Sequence, residues 1–182
     1  GTRQMKMLKK LLAVVLTGAM ALTLLTACGS NAVTEKDIAD AMNDMAKAAE
    51  EDITFTPRAK EREMAKAIAA LSDEDLKELE ESLKNSSLPE KAKEILGINA
   101  GGANANNFVW CGATYTDELG TSGQALNFMT QVMDKSANAD KLRGKNPADD
   151  RYMGTALYKT VDENGKQVTK RIIVVTAEAV DE

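Results

Sequence analysis

Two segments near the end of the chain are rich in β-forming residues, and a short polar turn separates them. They span 152–161 and 167–177, and the turn reads Asp-Glu-Asn-Gly-Lys. The pair Asn164-Gly165 predicts a β-hairpin, because both central residues of a type I′ turn need a positive φ. The second segment contains Arg-Ile-Ile-Val-Val-Thr-Ala, which is apolar on both faces. We therefore expect a central strand that helices cover on at least one side.

The first 27 residues have the pattern of a secretory signal peptide. Lysines precede a span of 17 residues, Leu11 to Ala27, that contains only Leu, Ala, Val, Met, Gly and Thr. A basic start, an apolar middle and small residues at the end are typical of a signal peptide. The span is shorter than the ~20 apolar residues of a bilayer crossing, so an uncleaved anchor or a buried helix fits less well. Residues 1–4 precede Met5 and are interpreted as an upstream extension or scar.

The tetrapeptide Leu25-Thr26-Ala27-Cys28 ends this span and resembles the lipobox of bacterial lipoproteins. The resemblance implies that a signal peptidase cuts before Cys28, after its thiol has received a diacylglycerol. Cys28 would be the lipid attachment site, and residues 28–33 a lipid-anchored linker. Two or more acyl chains hold a soluble domain stably on a membrane. The expected location is the bacterial cell envelope, on the outer face of the cytoplasmic membrane or the periplasmic face of an envelope membrane.

The residues after the leader form an acidic chain. The leader contains four basic residues and no acidic ones, so its removal changes the formal net charge from −5 to −9. Nucleic acid binding needs a basic stripe, so we expect no nucleic acid partner. About 155 residues suit one domain of ordinary size. Aromatic residues make up only 4% of the chain, so Ala, Leu, Ile, Val and Met must build the core.

The chain contains no histidine, and this excludes Ser-His-Asp and Cys-His triads and every zinc site that needs imidazole. Two cysteines cannot form a thiolate zinc site. The stretch 120–124, Gly-Thr-Ser-Gly-Gln, departs from a nucleophile elbow because its second glycine comes one position early. The acidic cluster at 72–75 lacks the glycine and the terminal glutamate of a calcium loop. We predict no catalytic residue, no metal site and no cofactor, although a carboxylate-pair hydrolase stays open.

Cys111 is the second cysteine of the chain. If Cys28 is acylated, Cys111 has no intramolecular partner, so we expect no disulfide. A small buried hydrophobic residue is the favoured interpretation. The alternative, a nucleophile, is less favoured because no histidine can activate the thiolate.

Apolar residues at helical spacing predict that the first half, 34–97, is helical. Thr34 is expected to cap a helix that runs to about Glu51, with Ile38, Met42, Met45 and Ala49 as its apolar stripe. An extended segment with a proline follows at 52–57. A second helix is expected over 58–71.

Capping residues mark the next two helices. Ser72 is placed to cap a third helix with a leucine stripe. The stretch 87–90, Ser-Leu-Pro-Glu, has the form of a capping box for a short fourth helix that Gly97 ends. Small and polar residues over 98–107 predict a loop.

The second half, 108–178, is expected to contain a strand, a helix and the hairpin. The strand opens at 108–115, and Thr121 with Gln124 is expected to cap the helix that follows. Residues 34–182 are therefore interpreted as a single α+β domain. N-terminal helices would pack on a small antiparallel sheet that ends in the C-terminal hairpin.

The order helix, extended join, helix, strand, helix and hairpin resembles the CAP (SCP-like) superfamily, an α-β-α sandwich common in secreted bacterial proteins. The likeness spans about 35–178. The start of the family's second helix resembles residues 52–70, and its Gly-Glu-Asn motif corresponds to 112–115. Its helix that ends in Ser-x-x-His-Arg resembles residues 125–144. The strand that opens its last hairpin resembles residues 151–160.

This sequence departs from the family at the cleft, which two histidines and two acidic residues define. The glutamate of Gly-Glu-Asn corresponds to Ala113, and one histidine corresponds to Ala139. The other histidine has no counterpart, and extra charged helix occupies 73–98. The resemblance therefore implies a degenerate domain that has lost its cleft chemistry.

These observations favour a lipid-anchored, extracytoplasmic, non-catalytic binding or structural domain of a bacterial envelope. Its partners would be membrane lipid, through acylated Cys28, and a protein, peptide or lipid ligand. The alternative is a small substrate-capturing lipoprotein that serves a transporter or sensor, although such proteins usually have two lobes and a longer chain. An enzyme ranks third. One sheet between helices would favour the binding domain, and a two-lobed cleft the alternative.

Overall fold

A computed structural model describes residues 33–85, 88–117, 119–133 and 136–182 of the 182-residue chain. The predicted signal peptide, the lipobox residues and Cys28 lie outside these ranges. The described helices are α1 Glu35–Ala48, α2 Ala59–Ala69, α3 Asp73–Asn85, α4 Glu90–Leu96, α5 Thr121–Gln131 and a 3-10 turn, Ala139–Leu142. The strands are β1 Thr54–Pro57, β2 Asn107–Tyr115, β3 Lys145–Val161 and β4 Gln167–Asp181.

The four strands form one sheet in the order β1-β3-β4-β2. Strands β3 and β4 form the C-terminal hairpin, and β2 pairs antiparallel with the other side of β4. The predicted α+β class and the hairpin are confirmed. The extended segment before α2 adds a strand that the sequence did not predict: β1 pairs parallel with residues 150–153 of β3, which makes the sheet mixed.

Helices cover both faces of the sheet, because alternate residues of β4 are apolar on each side. Ile173 and Val175 pack in a core with α1 and α5. Ile172 and Val174 pack in a second core with α2, α3 and α4. Burial on both faces explains the continuous apolar run in this strand. The result is a three-layer arrangement with β4 in the interior of the sheet.

Local signals start and end several helices as predicted. The Thr34 side chain accepts a hydrogen bond from the Asp37 backbone N–H, and the Asp37 carboxylate accepts one from the Thr34 N–H, so a capping box starts α1. The Ser72 hydroxyl accepts from the Asp75 N–H at 3.2 Å. Gly97 ends α4 with φ +68°.

Other helix ends differ from the prediction. Pro89 precedes α4 without a side-chain cap, and the serine of the expected box lies outside the described residues. Gly120, rather than Thr121, is the N-cap residue of α5, and Gln124 is buried within the fold. Helix α1 ends at Ala48 because Glu50 takes a positive φ.

The hairpin turn is also different from the predicted type I′ turn. Among the turn residues only Gly165 has a positive φ, +79°. The Gly165 N–H donates to the Asp162 carbonyl, and the Asp162 N–H donates to the Lys166 carbonyl. This pattern is a type I turn followed by a left-handed glycine, which also matches the twist of the strands. The Asp162 carboxylate accepts from the Asn164 and Lys166 N–H groups and stabilises the turn.

Helix α2 packs very closely on the sheet at Gly154. A Cβ atom there would lie 2.0 Å from the backbone nitrogen of Arg62. One turn of the same helix places Glu61 in the interior, where its carboxylate accepts hydrogen bonds from Thr176 and Arg58. Among the described residues, no helix has the length and apolar character to cross a membrane.

Candidate functional site

A cavity of about 1080 Å³ lies between α3 and the sheet, on the face that α2, α3 and α4 cover. One wall is α3, and the floor is the end of β2, at Cys111, Ala113 and Tyr115. The turn end of the β3–β4 hairpin and the residues that follow α5 complete the lining. Its volume is that of sites that hold a small ligand or a few side chains of a peptide.

A hydrogen-bonded network forms the wall between α3 and the hairpin. The Tyr158 hydroxyl donates to Glu80 Oε1 at 2.5 Å, and Lys170 Nζ lies 2.9 Å from the same oxygen. The Lys170 ammonium also lies 4.4 Å from the centroid of the Tyr115 ring, a cation–π contact. The network satisfies the charge of Glu80 and holds α3 against the strands.

Two groups in this region are kept in their protonated form. Burial raises the pKa of the Cys111 thiol to about 12. Burial, and next the hydrogen bond to Glu80, raise the pKa of Tyr158 well above its usual value. A thiol that stays protonated at neutral pH is a poor nucleophile. The favoured interpretation of Cys111 as a small buried residue is therefore confirmed by its 4% exposure.

Ser136 gives the cavity a buried polar group that has no protein partner among the described residues. Ser136 is one of the residues that line the cavity, and its hydroxyl is buried from solvent. Buried hydroxyls are nearly always hydrogen-bonded, because an unsatisfied one costs free energy.

The rim carries charges of both signs. Five exposed charged residues are among those that line the cavity: Lys77, Lys159, Asp73, Glu81 and Glu163. Apolar side chains, among them those of β2, line the interior. Such a lining suits a ligand that has an apolar part and polar or charged ends.

The described residues of the lining include carboxylates and one thiol, and the sequence has no histidine to join them. Within the described ranges, no group of three or more Cys, Asp and Glu side chains could hold a metal ion. The stretch 120–124, which only partly matches the sequence of a nucleophile elbow, forms the start of α5. The arrangement can bind and orient a ligand through hydrogen bonds and ion pairs.

The positions that the family resemblance singled out are separated. Ala113 lines the cavity, whereas Ala139 begins the 3-10 turn and is not part of the lining. The sequence did not point to Glu80, Tyr158 or Lys170. The one available signal was the position of Tyr158 and Lys170 on the inward face of otherwise apolar strands. Such residues indicate buried polar contacts, but they do not identify Glu80 as the partner.

The chain was also compared with known proteins. It matches no family model, and searches of curated proteins and of solved structures return no match.

Proposed function

We propose that this chain is a lipid-anchored, non-catalytic binding domain of the bacterial envelope, whose ligand occupies the cavity between α3 and the sheet. The cavity carries this proposal, because it combines an apolar floor, a charged rim and the buried Ser136 hydroxyl. The ligand would be a peptide or lipid with apolar and charged parts. The degenerate CAP-like resemblance fits a domain that binds without cleaving.

The alternative is a substrate-capturing lipoprotein for a transporter or sensor. A cavity of this size could hold a small solute. The described residues form one sheet with helices on both faces rather than two lobes. This architecture favours the binding domain.

The lipid anchor is tested at Cys28. In a bacterial host, Cys28→Ser should abolish incorporation of labelled fatty acid and prevent cleavage before residue 28, because the thiol is the acceptor. Cys111→Ser is the matched control and should label normally, since Cys111 is buried. Wild-type protein found free in the medium, with an N-terminus other than residue 28, would contradict the proposal.

Occupancy of the cavity is tested with the amphipathic dye anilinonaphthalene sulfonate and the full chain in a non-quenching detergent. The dye should fluoresce more strongly with the wild type than in the detergent alone. Ala113→Trp should remove this increase, because the indole fills the floor of the cavity. Ala70→Trp, at an exposed position after α2, is the control and should leave the signal unchanged. Equal dye signals from both variants would exclude the cavity as the binding site.

A further inference from the structure

The point at which the linker joins the domain is held by a buried arginine. The described chain begins at Val33, whose carbonyl accepts a hydrogen bond from Arg171 Nη2 at 2.8 Å. Arg171 is 4% exposed and also donates to Gln124 and Thr155, at 2.9 and 2.8 Å. These contacts hold Val33 against the sheet face that α1 and α5 cover.

The hairpin extends beyond the helices on this face. Leu157 is the register partner of Arg171, so the two side chains lie on the same face, and Val161 follows on that face four residues later. Helix α1 begins beside Arg171 and runs away from the turn. Leu157 and Val161 are consequently 51% and 63% exposed.

The outer edge of β3 is open along the same residues. Strand β1 pairs only with residues 150–153, and Glu35 Oε1 accepts from the Thr155 N–H at 2.7 Å. Beyond Thr155, no described strand pairs with this edge. Lys159 is exposed between the two apolar side chains, and Lys159 and Val161 also border the cavity, at the turn end of the hairpin. Edge-to-edge pairing of two copies centred on Lys159 would bring like charges together, which disfavours a dimer here.

We propose that the hairpin patch, defined as Leu157, Lys159, Val161 and Lys166, rests on the lipid surface to which Cys28 is attached. This inference depends on the proposed acylation. Five residue steps separate Cys28 from Val33, which limits their distance to about 18 Å. Because Val33 is held beside Arg171, the register partner of Leu157, the patch lies within reach of the anchoring bilayer.

The chemistry of the patch fits a bilayer surface. Apolar side chains enter the boundary between headgroups and acyl chains, and exposed lysines are attracted to anionic headgroups. Lys159 and Lys166 are both exposed, and the exposed Glu163 lies between them in the turn, so the apolar side chains make the larger contribution. An extended peptide added to the open edge of β3 is the competing occupant.

The test uses the full acylated chain in vesicles of equimolar phosphatidylethanolamine and phosphatidylglycerol, with Cys111 replaced by alanine. A fluorophore is attached at Val161→Cys or, as the matched control, at Val180→Cys, which is 41% exposed near the other end of the same hairpin. Val161 is the register partner of Gln167, so the two positions lie roughly 40 Å apart along the hairpin. Nitroxide-labelled lipid should quench the label at 161 at least about threefold more than the label at 180, since membrane-surface residues enter only about 5–10 Å.

The intact mass of the protein shows whether it is acylated, and this separates the lipid-anchor proposal from the hairpin-patch proposal. An acylated chain with equal quenching at both positions would overturn the hairpin patch and leave the anchor standing. A chain without acyl groups would overturn both. If lipid quenching is equal at both positions and an added extended peptide shields the label at 161 from solvent, the open edge of β3 binds a peptide instead.

Discussion

Single residues with unusual surroundings determine several features of this fold. Glu50 has φ +57° and ends α1, where the Glu51 N–H bonds the Ala46 carbonyl and the Glu50 N–H bonds the Lys47 carbonyl. These two bonds form a Schellman motif, which glycine usually completes. A glutamate in this conformation is strained, because its Cβ approaches the carbonyl oxygen that follows.

Glu50→Gly should therefore stabilise the protein by about 0.5–1 kcal/mol, since relief of the strain exceeds the added entropy of the unfolded chain. Denaturant unfolding measures the change. Glu51→Gly, at a neighbouring residue without a positive φ, should not stabilise. Equal effects of both substitutions would show that Glu50 carries no backbone strain.

Arg171 is a buried residue that donates hydrogen bonds to three acceptors. Arg171→Met should lower the unfolding free energy by about 2–4 kcal/mol, because Gln124, Thr155 and Val33 each lose a charged donor. Lys159→Met on the same face is exposed and should change stability by less than about 0.5 kcal/mol. Thermal and urea unfolding of both variants measures the two changes. Equal, small changes would show that the fold does not depend on Arg171.

At the scale of elements, the hairpin turn determines the register of β3 and β4. A slip by one residue would move the side chains of Ile172–Val175 to the opposite faces. Gly165 is the turn residue with a positive φ, and nothing lies within 4 Å of a Cβ built there. The positive φ, rather than a lack of space for a side chain, restricts which residues fit at position 165. Gly101, in the predicted loop over 98–107, has φ +80° as well, so this loop also depends on a left-handed glycine.

Gly165→Val should lower stability by about 1–3 kcal/mol, and Gly165→Asn by less than about 1 kcal/mol, because asparagine tolerates the left-handed region. Comparing both substitutions at one position keeps the surroundings constant. Urea unfolding provides the two values. Equal and negligible losses would mean that the turn does not need a left-handed residue.

At the scale of the whole molecule, Glu61 connects α2 to the centre of the sheet. Burial alone would raise its pKa, but hydrogen bonds from Arg58 and Thr176 outweigh burial and hold the pKa of this carboxyl below its usual value near 4.5. A carboxyl with a lowered folded-state pKa stabilises the fold above its unfolded value. That contribution is lost as the pH falls through the folded pKa.

We expect the unfolding free energy to fall as the pH is lowered from 4.5, and Glu61→Gln to weaken this dependence. At pH 7 the substitution should cost about 1–3 kcal/mol, because a charged acceptor is lost inside the protein. Glu63→Gln, on the exposed side of α2, should leave both quantities close to wild type. Urea unfolding between pH 7 and about pH 3 tests the slope. An unchanged slope in Glu61→Gln would contradict this role.

The sequence alone determined the features that depend on near neighbours. Thr34, Ser72 and Gly97 act within three or four residues, so their capping was predictable. The apolar stripes identified the buried faces of the helices, and the polar turn between two β-forming segments identified the hairpin.

Only the tertiary structure decided the features that depend on distant residues. Strand β1 pairs with a segment 96 residues away, and the Glu80 contacts join α3 to strands 78 or more residues later. Local propensity carries no information on which distant groups meet, because their pairing follows from the packing of all layers at once. The cavity and the hairpin patch arise in the same way: the cavity lies between α3 and the sheet, and the patch lies where β3 continues beyond α1.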